Sequence, residues 1–129
     1  MADSAKTRVL VIDDASLVRM YYRDAFERAG YEVDEALNGL EALEKLLFAS
    51  ADLLIVDVNM AQMDGLTFLK VLRRQDLPLS ATPALVTTTE TGAQDRLAAQ
   101  AAGANFYLVK PVTPETLVAY ADIMSGRAP

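Results

Sequence analysis

The residues able to do chemistry stand at a few points, each just after a short apolar run. Asp13-Asp14 follow Val9-Leu10-Val11-Ile12, and Asp57 follows Leu53-Leu54-Ile55-Val56. Thr87-Thr88 close the run that begins at Ala84, and Lys110-Pro111 follow Phe106-Tyr107-Leu108-Val109. The set is three carboxylates, hydroxyls and an ammonium. The chain has no cysteine and no histidine. That excludes a thiolate or imidazole nucleophile, a Ser-His-Asp triad and a Cys- or His-ligated zinc. Two carboxylates about 4 Å apart repel by roughly 4 kcal/mol at an effective dielectric near 20, so three together call for a cation. Hard oxygen ligands with room for water suit Mg²⁺, which takes one or two carboxylates and a phosphate oxygen. A carboxylate beside such a cation, a lysine and a hydroxyl is equipped to attack phosphorus and hold the resulting charge.

Each residue alone has a plainer explanation. An Asp pair ahead of a helix is a cap and turn, Thr87 is a β-branched strand residue, and a Lys before Pro is a solvated side chain. Asp57 is different, because an acid closing a wholly apolar strand meets a desolvation cost. What sets these residues apart is their joint arrangement at the ends of four apolar runs.

The positioning elements are readable from period and punctuation. Apolar runs at Val9–Ile12, Leu53–Val56, Ala84–Thr88 and Phe106–Val109 predict buried strands, and the alternating Tyr31–Ala36 predicts one at a sheet edge. Helical spacing fills the gaps. Ser16–Ala29 carries Leu17, Met20, Tyr21, Ala25, Phe26 and Arg28 and stops at Gly30. Leu40–Ala49 repeats Leu40, Leu43, Leu46 and Leu47; Leu66–Arg74 carries Leu66, Leu69 and Leu72; Ala93–Ala102 ends at Gly103. Thr113-Pro114-Glu115 opens a last helix with a cap and a first-turn proline. Strands and helices alternating in this way predict an α/β fold, a parallel sheet covered on both faces. In such a sheet ligands sit beyond the carboxyl ends of the strands, where the acids, Thr87 and Lys110 fall.

The chain has 129 residues, the size of one domain, with a core expected over about 7–124 and only the tail from Gly126 looking loose. A formal charge of −6 disfavours phosphate backbones, so no nucleic-acid partner is expected. No apolar run reaches the roughly 18 residues that span a bilayer. The first residues do not have the form of a signal peptide. A cytoplasmic location without membrane attachment is the expectation.

With these residues in view, the chain resembles the receiver domains of two-component response regulators, in size most like the stand-alone CheY-like type. The resemblance is carried by Val9 to Asp14, Asp57 with Met63-Asp64-Gly65, Val86-Thr87-Thr88, Ala102-Gly103-Ala104 with Tyr107, and Lys110-Pro111. It covers about Thr7 to Met124. It implies a doubly wound, five-stranded parallel sheet of order 2-1-3-4-5 with five helices. It implies that Asp57 accepts a phosphoryl group from a phosphohistidine on a partner, either a histidine kinase or a histidine phosphotransfer protein. Mg²⁺ would be held by Asp14, Asp57 and the Asn59 backbone carbonyl, and by Asp13 through water. Lys110 would pair with the acceptor and then with phosphoryl oxygens, ahead of a cis bond to Pro111. Thr87 would bind a phosphoryl oxygen while Tyr107 changes rotamer. Such a domain catalyses only its own phosphotransfer and dephosphorylation.

Departures from the family pattern are Ala61 where proline is usual, Thr88 where a smaller residue is common, and a slightly longer Thr89-Glu90-Thr91-Gly92. Thr88 is expected to narrow access to the acceptor. A haloacid-dehalogenase-type phospho-aspartyl hydrolase is an alternative, but no Asp-x-Asp follows a strand, since Asp57-Val58-Asn59 ends in Asn. A constitutive pseudo-receiver is a second alternative, and the intact acids, Thr87 and Lys110 argue against it. On the last helix, Leu117, Tyr120, Ala121 and Met124 share a core-facing arc. Val118 and Ile123 fall outside it. Together with Tyr107 and Tyr120 they are expected to form an apolar docking patch for a target or a second copy on the α4–β5–α5 face.

Overall fold

The computed structural model describes residues 6–127. Five strands follow the apolar runs: β1 Arg8–Ile12, β2 Glu32–Ala36, β3 Leu53–Asp57, β4 Ala84–Thr88 and β5 Phe106–Val109. Five helices alternate with them: α1 Ser16–Arg28, α2 Gly39–Phe48, α3 Gly65–Leu72, α4 Ala93–Ala102 and α5 Pro114–Ser125. All pairings are parallel and the strand order is β2-β1-β3-β4-β5. That is the expected doubly wound α/β architecture. A short 3₁₀ turn at Leu79–Ala81 and a cis Leu77–Pro78 bond, neither anticipated from sequence, lie between α3 and β4.

Alternation along the strands divides the core into two layers. Val9, Val11, Leu53, Ile55 and Leu85 pack under α1 and α5 with Tyr22, Phe26, Leu117 and Ala121. Leu10, Ile12, Leu54, Val56 and Val86 pack under α2, α3 and α4 with Ala42, Leu46, Phe68 and Leu72. The same period carries one step further at the carboxyl edge. Asp13, Asp57, Thr87 and Lys110 each continue their strand in the phase of the α1/α5 layer.

Two helix faces differ from expectation. On α1 Ala25 and Phe26 are buried as expected, but Tyr22 joins them while Leu17, Met20, Tyr21 and Arg28 are exposed. Apolar residues cover more than half of this helix's circumference, so spacing alone did not choose a face; the bulk of Tyr22 and Phe26, one turn apart, fills the layer above the sheet. On α2 the buried residues are Gly39, Ala42 and Leu46, whereas Leu40 and Leu47 point outward. Small residues allow close approach there: a Cβ at Gly39 would lie 2.8 Å from Met63 Cγ and from Phe68 Cβ. The helix starts are capped by side chains that accept N–H bonds, Asn38 from Glu41, Asp64 from Thr67 and Thr113 from Thr116.

The tail is not loose through Arg127. Gly126 takes a left-handed φ of 75°, the Arg127 N–H bonds the Asp122 carbonyl at 2.9 Å, and its guanidinium lies 4.2 Å over the Tyr31 ring. The expectations for the first five residues and for the last two lie outside the described residues. No helix among those described is long and apolar enough to cross a membrane.

Candidate functional site

Three connections build the site. The turn after β1 folds Asp13 back on the start of α1: its Oδ1 accepts the Ala15 N–H at 2.9 Å, and its carbonyl accepts Arg19 Nη1 at 2.7 Å. Arg19 is in turn held by Glu35 of β2 at 2.8 Å, and Arg23 bonds the other oxygen of Glu35 at 2.6 Å. The β3–α3 connection departs from Asp57. A Cβ at Gly65 would lie 2.1 Å from the Asp57 carbonyl oxygen, so only glycine lets α3 start against the strand end. Within that loop Gln62 and Met63 adopt positive φ of 52° and 82° beside Ala61. Lys110 comes from the end of β5, ahead of a cis bond to Pro111, as the resemblance implied.

These connections bring Asp13, Asp14 and Asp57 together. One carboxylate oxygen from each lies within 4.8 Å of the others, with Asp13 and Asp57 buried and Asp14 exposed. Lys110 Nζ bridges the two buried acids, 2.9 Å from Asp13 Oδ2 and 3.1 Å from Asp57 Oδ1. Burial pushes the Asp57 carboxyl above its ordinary range and the Asp13 charge adds to this, while Lys110 works the other way. Burial alone would lower the Lys110 ammonium, but Asp13 and Asp57 outweigh it and hold the group above its usual value.

One ammonium thus faces three carboxylates, a surplus of negative charge that suits a divalent cation. The donor set of clustered carboxylate oxygens fits Mg²⁺. Asn59 lies two residues beyond Asp57 with its side chain exposed. Among the described residues its carbonyl accepts no hydrogen bond, whereas the neighbouring Val58 carbonyl takes the Gly65 N–H at 2.9 Å.

Thr87 is the register partner of Asp57 and is fully buried, and its Oγ1 has no hydrogen-bond partner. Thr88, expected to narrow the acceptor, instead turns its hydroxyl to the β4–α4 loop, where it accepts the Glu90 N–H at 3.1 Å. Tyr107 donates to the Glu90 carbonyl at 2.8 Å, and Arg96 of α4 lies 4.8 Å over its ring. One loop therefore joins the strand of Thr87 to the ring of Tyr107.

The residues expected on the docking face are divided by the fold. Tyr120 packs edge-on against Phe106, with ring centroids 5.3 Å apart, and Ile123 is exposed. Val118 sits on the opposite flank of α5, in a cleft with Asp24, Ala25 and Arg28 of α1. The reason is angular: at 100° per residue Val118 and Ile123 flank the core arc from opposite sides. Tyr107 leaves the other face of β5, on the α4 side. Phe106 was not singled out from sequence, although an aromatic at the start of an edge strand was the available signal.

Sequence reasoning also missed Tyr22. This α1 side chain is buried under the site, where Lys110, Asp13 and Asp57 act on its hydroxyl. Burial raises the hydroxyl's pKa, so it stays protonated at neutral pH. Its position was masked by the mistaken face of α1.

Comparison with known proteins agrees with this construction. The chain is 41% identical over 122 residues to chemotaxis protein CheY1 of Helicobacter pylori, spanning 92% of this chain and 97% of that protein. Among solved structures, chemotaxis protein CheY4 of Vibrio cholerae superposes with a TM-score of 0.87 at 40% identity, covering 93% of this chain and 99% of the other. A putative response regulator from Chloroflexus aurantiacus gives a TM-score of 0.88 at 34% identity, covering 95% and 100%. Residues 9–122 match the response regulator receiver domain, and the chain belongs to that family.

Proposed function

We propose that Asp57 is the phosphoryl acceptor of this receiver domain, whose family makes the chain a phosphoacceptor signalling switch of two-component systems with a regulatory role. A carboxylate oxygen of Asp57 attacks the phosphorus of a phosphohistidine on a partner kinase or phosphotransfer protein; the P–N bond breaks and the imidazole leaves with its electron pair. The observation that carries this reading is the Lys110 ammonium bridging Asp13 and Asp57 beside an unpartnered, buried Thr87 hydroxyl. Lys110 already stands where charge would develop on the transferred group, and Thr87 has a proton to give. Asp13, Asp14, Asp57 and the Asn59 carbonyl would hold Mg²⁺, which when bound supplies neutralising charge to the phosphoryl oxygens.

Access is from an apolar cleft of about 430 Å³ lined by Leu17, Tyr21, Thr89, Lys110 and Pro111, a surface suited to a protein donor. Modification would draw the β4–α4 loop through Thr87, and with it Tyr107, whose hydroxyl holds the same loop at Glu90. The responding face for a downstream target or a second copy is the α4–β5–α5 edge with Tyr107, Phe106, Tyr120 and Ile123; Val118 belongs to the α1 side. The whole chain acts as one domain in the cytoplasm, and its own dephosphorylation resets it. The test is labelling by acetyl phosphate with Mg²⁺: wild type should incorporate base-labile phosphate and Asp57→Asn should not. Undiminished labelling of that variant refutes the assignment.

A further inference from the structure

Every polar group of Asp13 is engaged. Its N–H bonds the Ala36 carbonyl of β2 at 3.1 Å, Oδ1 accepts the Ala15 N–H at 2.9 Å and Oδ2 accepts Lys110 Nζ at 2.9 Å. Its carbonyl accepts Arg19 Nη1 at 2.7 Å. That last contact bears on the next residue. The Asp13 carbonyl belongs to the peptide unit joining Asp13 to Asp14, and a peptide unit is planar. Holding its oxygen fixes the plane from which the Asp14 Cα departs. Asp14 is exposed, yet it offers a carboxylate oxygen within 4.8 Å of those of Asp13 and Asp57. Repulsion among the three acids drives an exposed side chain outward, so the backbone is what keeps Asp14 beside the others.

Arg19 is itself held. Its Nε donates to Glu35 Oε1 at 2.8 Å, and its side chain is only 12% exposed. The guanidinium is a planar fork. With Nε on the edge strand β2 and Nη1 on the Asp13 carbonyl, its plane is fixed from two directions. A positive charge near a cation site opposes the cation, so charge gives Arg19 no favourable role there. Direction does. We propose that Arg19 is a positioning residue for the Mg²⁺ site: it clamps the Asp13–Asp14 peptide and so keeps the Asp14 carboxylate beside Asp13 and Asp57 before the cation arrives. A site built in advance loses less freedom on binding and holds its ligand more tightly. This inference rests on the proposed Mg²⁺ site of Asp13, Asp14 and Asp57.

The test is Mg²⁺ titration of the full chain at neutral pH and low ionic strength, followed by amide chemical shifts in NMR. Arg19→Met keeps an apolar stem and removes the donors. It should weaken Mg²⁺ affinity about fivefold, the scale of one hydrogen bond, although losing a positive charge would by itself tighten it. Arg23→Met is the control. Arg23 carries the same charge and bonds the other oxygen of Glu35 at 2.6 Å, but its hydrogen bonds go to Glu35 and Glu27 rather than to Asp13. That variant should bind Mg²⁺ as tightly as wild type or slightly more so. Urea unfolding checks that each variant is folded. Should Arg19→Met not fold, Arg19→Lys takes its place; it keeps the charge but not the planar fork, and should lose about twofold in affinity. Wild-type or tighter Mg²⁺ binding in the Arg19 variant, or an equal loss in Arg23→Met, overturns the inference and leaves the metal site standing. Absence of Mg²⁺ binding in the wild type overturns the site itself, and the role of Arg19 with it.

Discussion

Replacing Asp14 by Asn should make the metal-free protein more stable and make it indifferent to Mg²⁺. The three carboxylates offer oxygens within 4.8 Å of one another. At that distance two unit charges repel by about 3.5 kcal/mol at an effective dielectric of 20 and by about 0.9 kcal/mol in water. Asp14 is exposed, so the lower figure is the better guide for each of its two repulsions. Lys110, bonded to both buried acids, offsets part of it. The net gain from Asp14→Asn is therefore about 1 kcal/mol. Wild type should recover more than this when the cation binds, since a ligand at ten times its dissociation constant stabilises by about 1.4 kcal/mol. Urea unfolding at pH 7.5 and low ionic strength, with and without millimolar Mg²⁺, measures both effects on one pair of proteins. The reasoning is refuted if Asp14→Asn is less stable than wild type without Mg²⁺, or if Mg²⁺ stabilises both equally.

Other perturbations probe the frame that holds the site. Arg73 gives hydrogen bonds to the carbonyls of Ser80, Thr82 and Gly103 and to Asn105 Oδ1, so Arg73→Met should lower stability by about 2–4 kcal/mol in urea unfolding. Gly65→Ala must displace the Asp57 carbonyl, 2.1 Å from the new Cβ, and should cost more than about 2 kcal/mol while also slowing acetyl phosphate labelling. Burial opposes ionisation of Glu35, but bonds from Arg23 and Arg19 outweigh it and depress its pKa below 4.5. Its stabilisation is therefore present above that value and is lost as pH falls through the depressed one. Glu35→Gln should cost roughly 1–2 kcal/mol at pH 7 and flatten the acid limb of a stability–pH curve.

The sequence by itself determined the alternation of elements, the parallel sheet and the edge at which the chemistry collects. These follow from local signals: five-residue β-branched runs, glycine and proline stops, and acids placed directly after apolar strands. Asp13, Asp57, Thr87 and Lys110 were legible because each continues a strand whose phase is visible in its own residues. The family resemblance added the strand order and the cis bond at Pro111, both present in the structure.

What the tertiary structure decided were the faces and the pairings. Apolar residues cover more than half of the circumference of α1, so only packing against the sheet could select Tyr22 over Tyr21 and Met20. On α2, close approach favoured Gly39 and Ala42 over larger leucines, which an argument from hydrophobicity ranks the other way. Val118 and Ile123 shared a description in sequence, as residues outside the core arc, yet the sheet and α1 put them on different flanks. Thr87 and Thr88 are adjacent and chemically identical, but strand alternation puts Thr87 on the face of its register partner Asp57 and leaves the Thr88 hydroxyl to the loop. Period and punctuation are properties of the chain alone. Orientation is set by what a face packs against, and that partner lies far away in sequence.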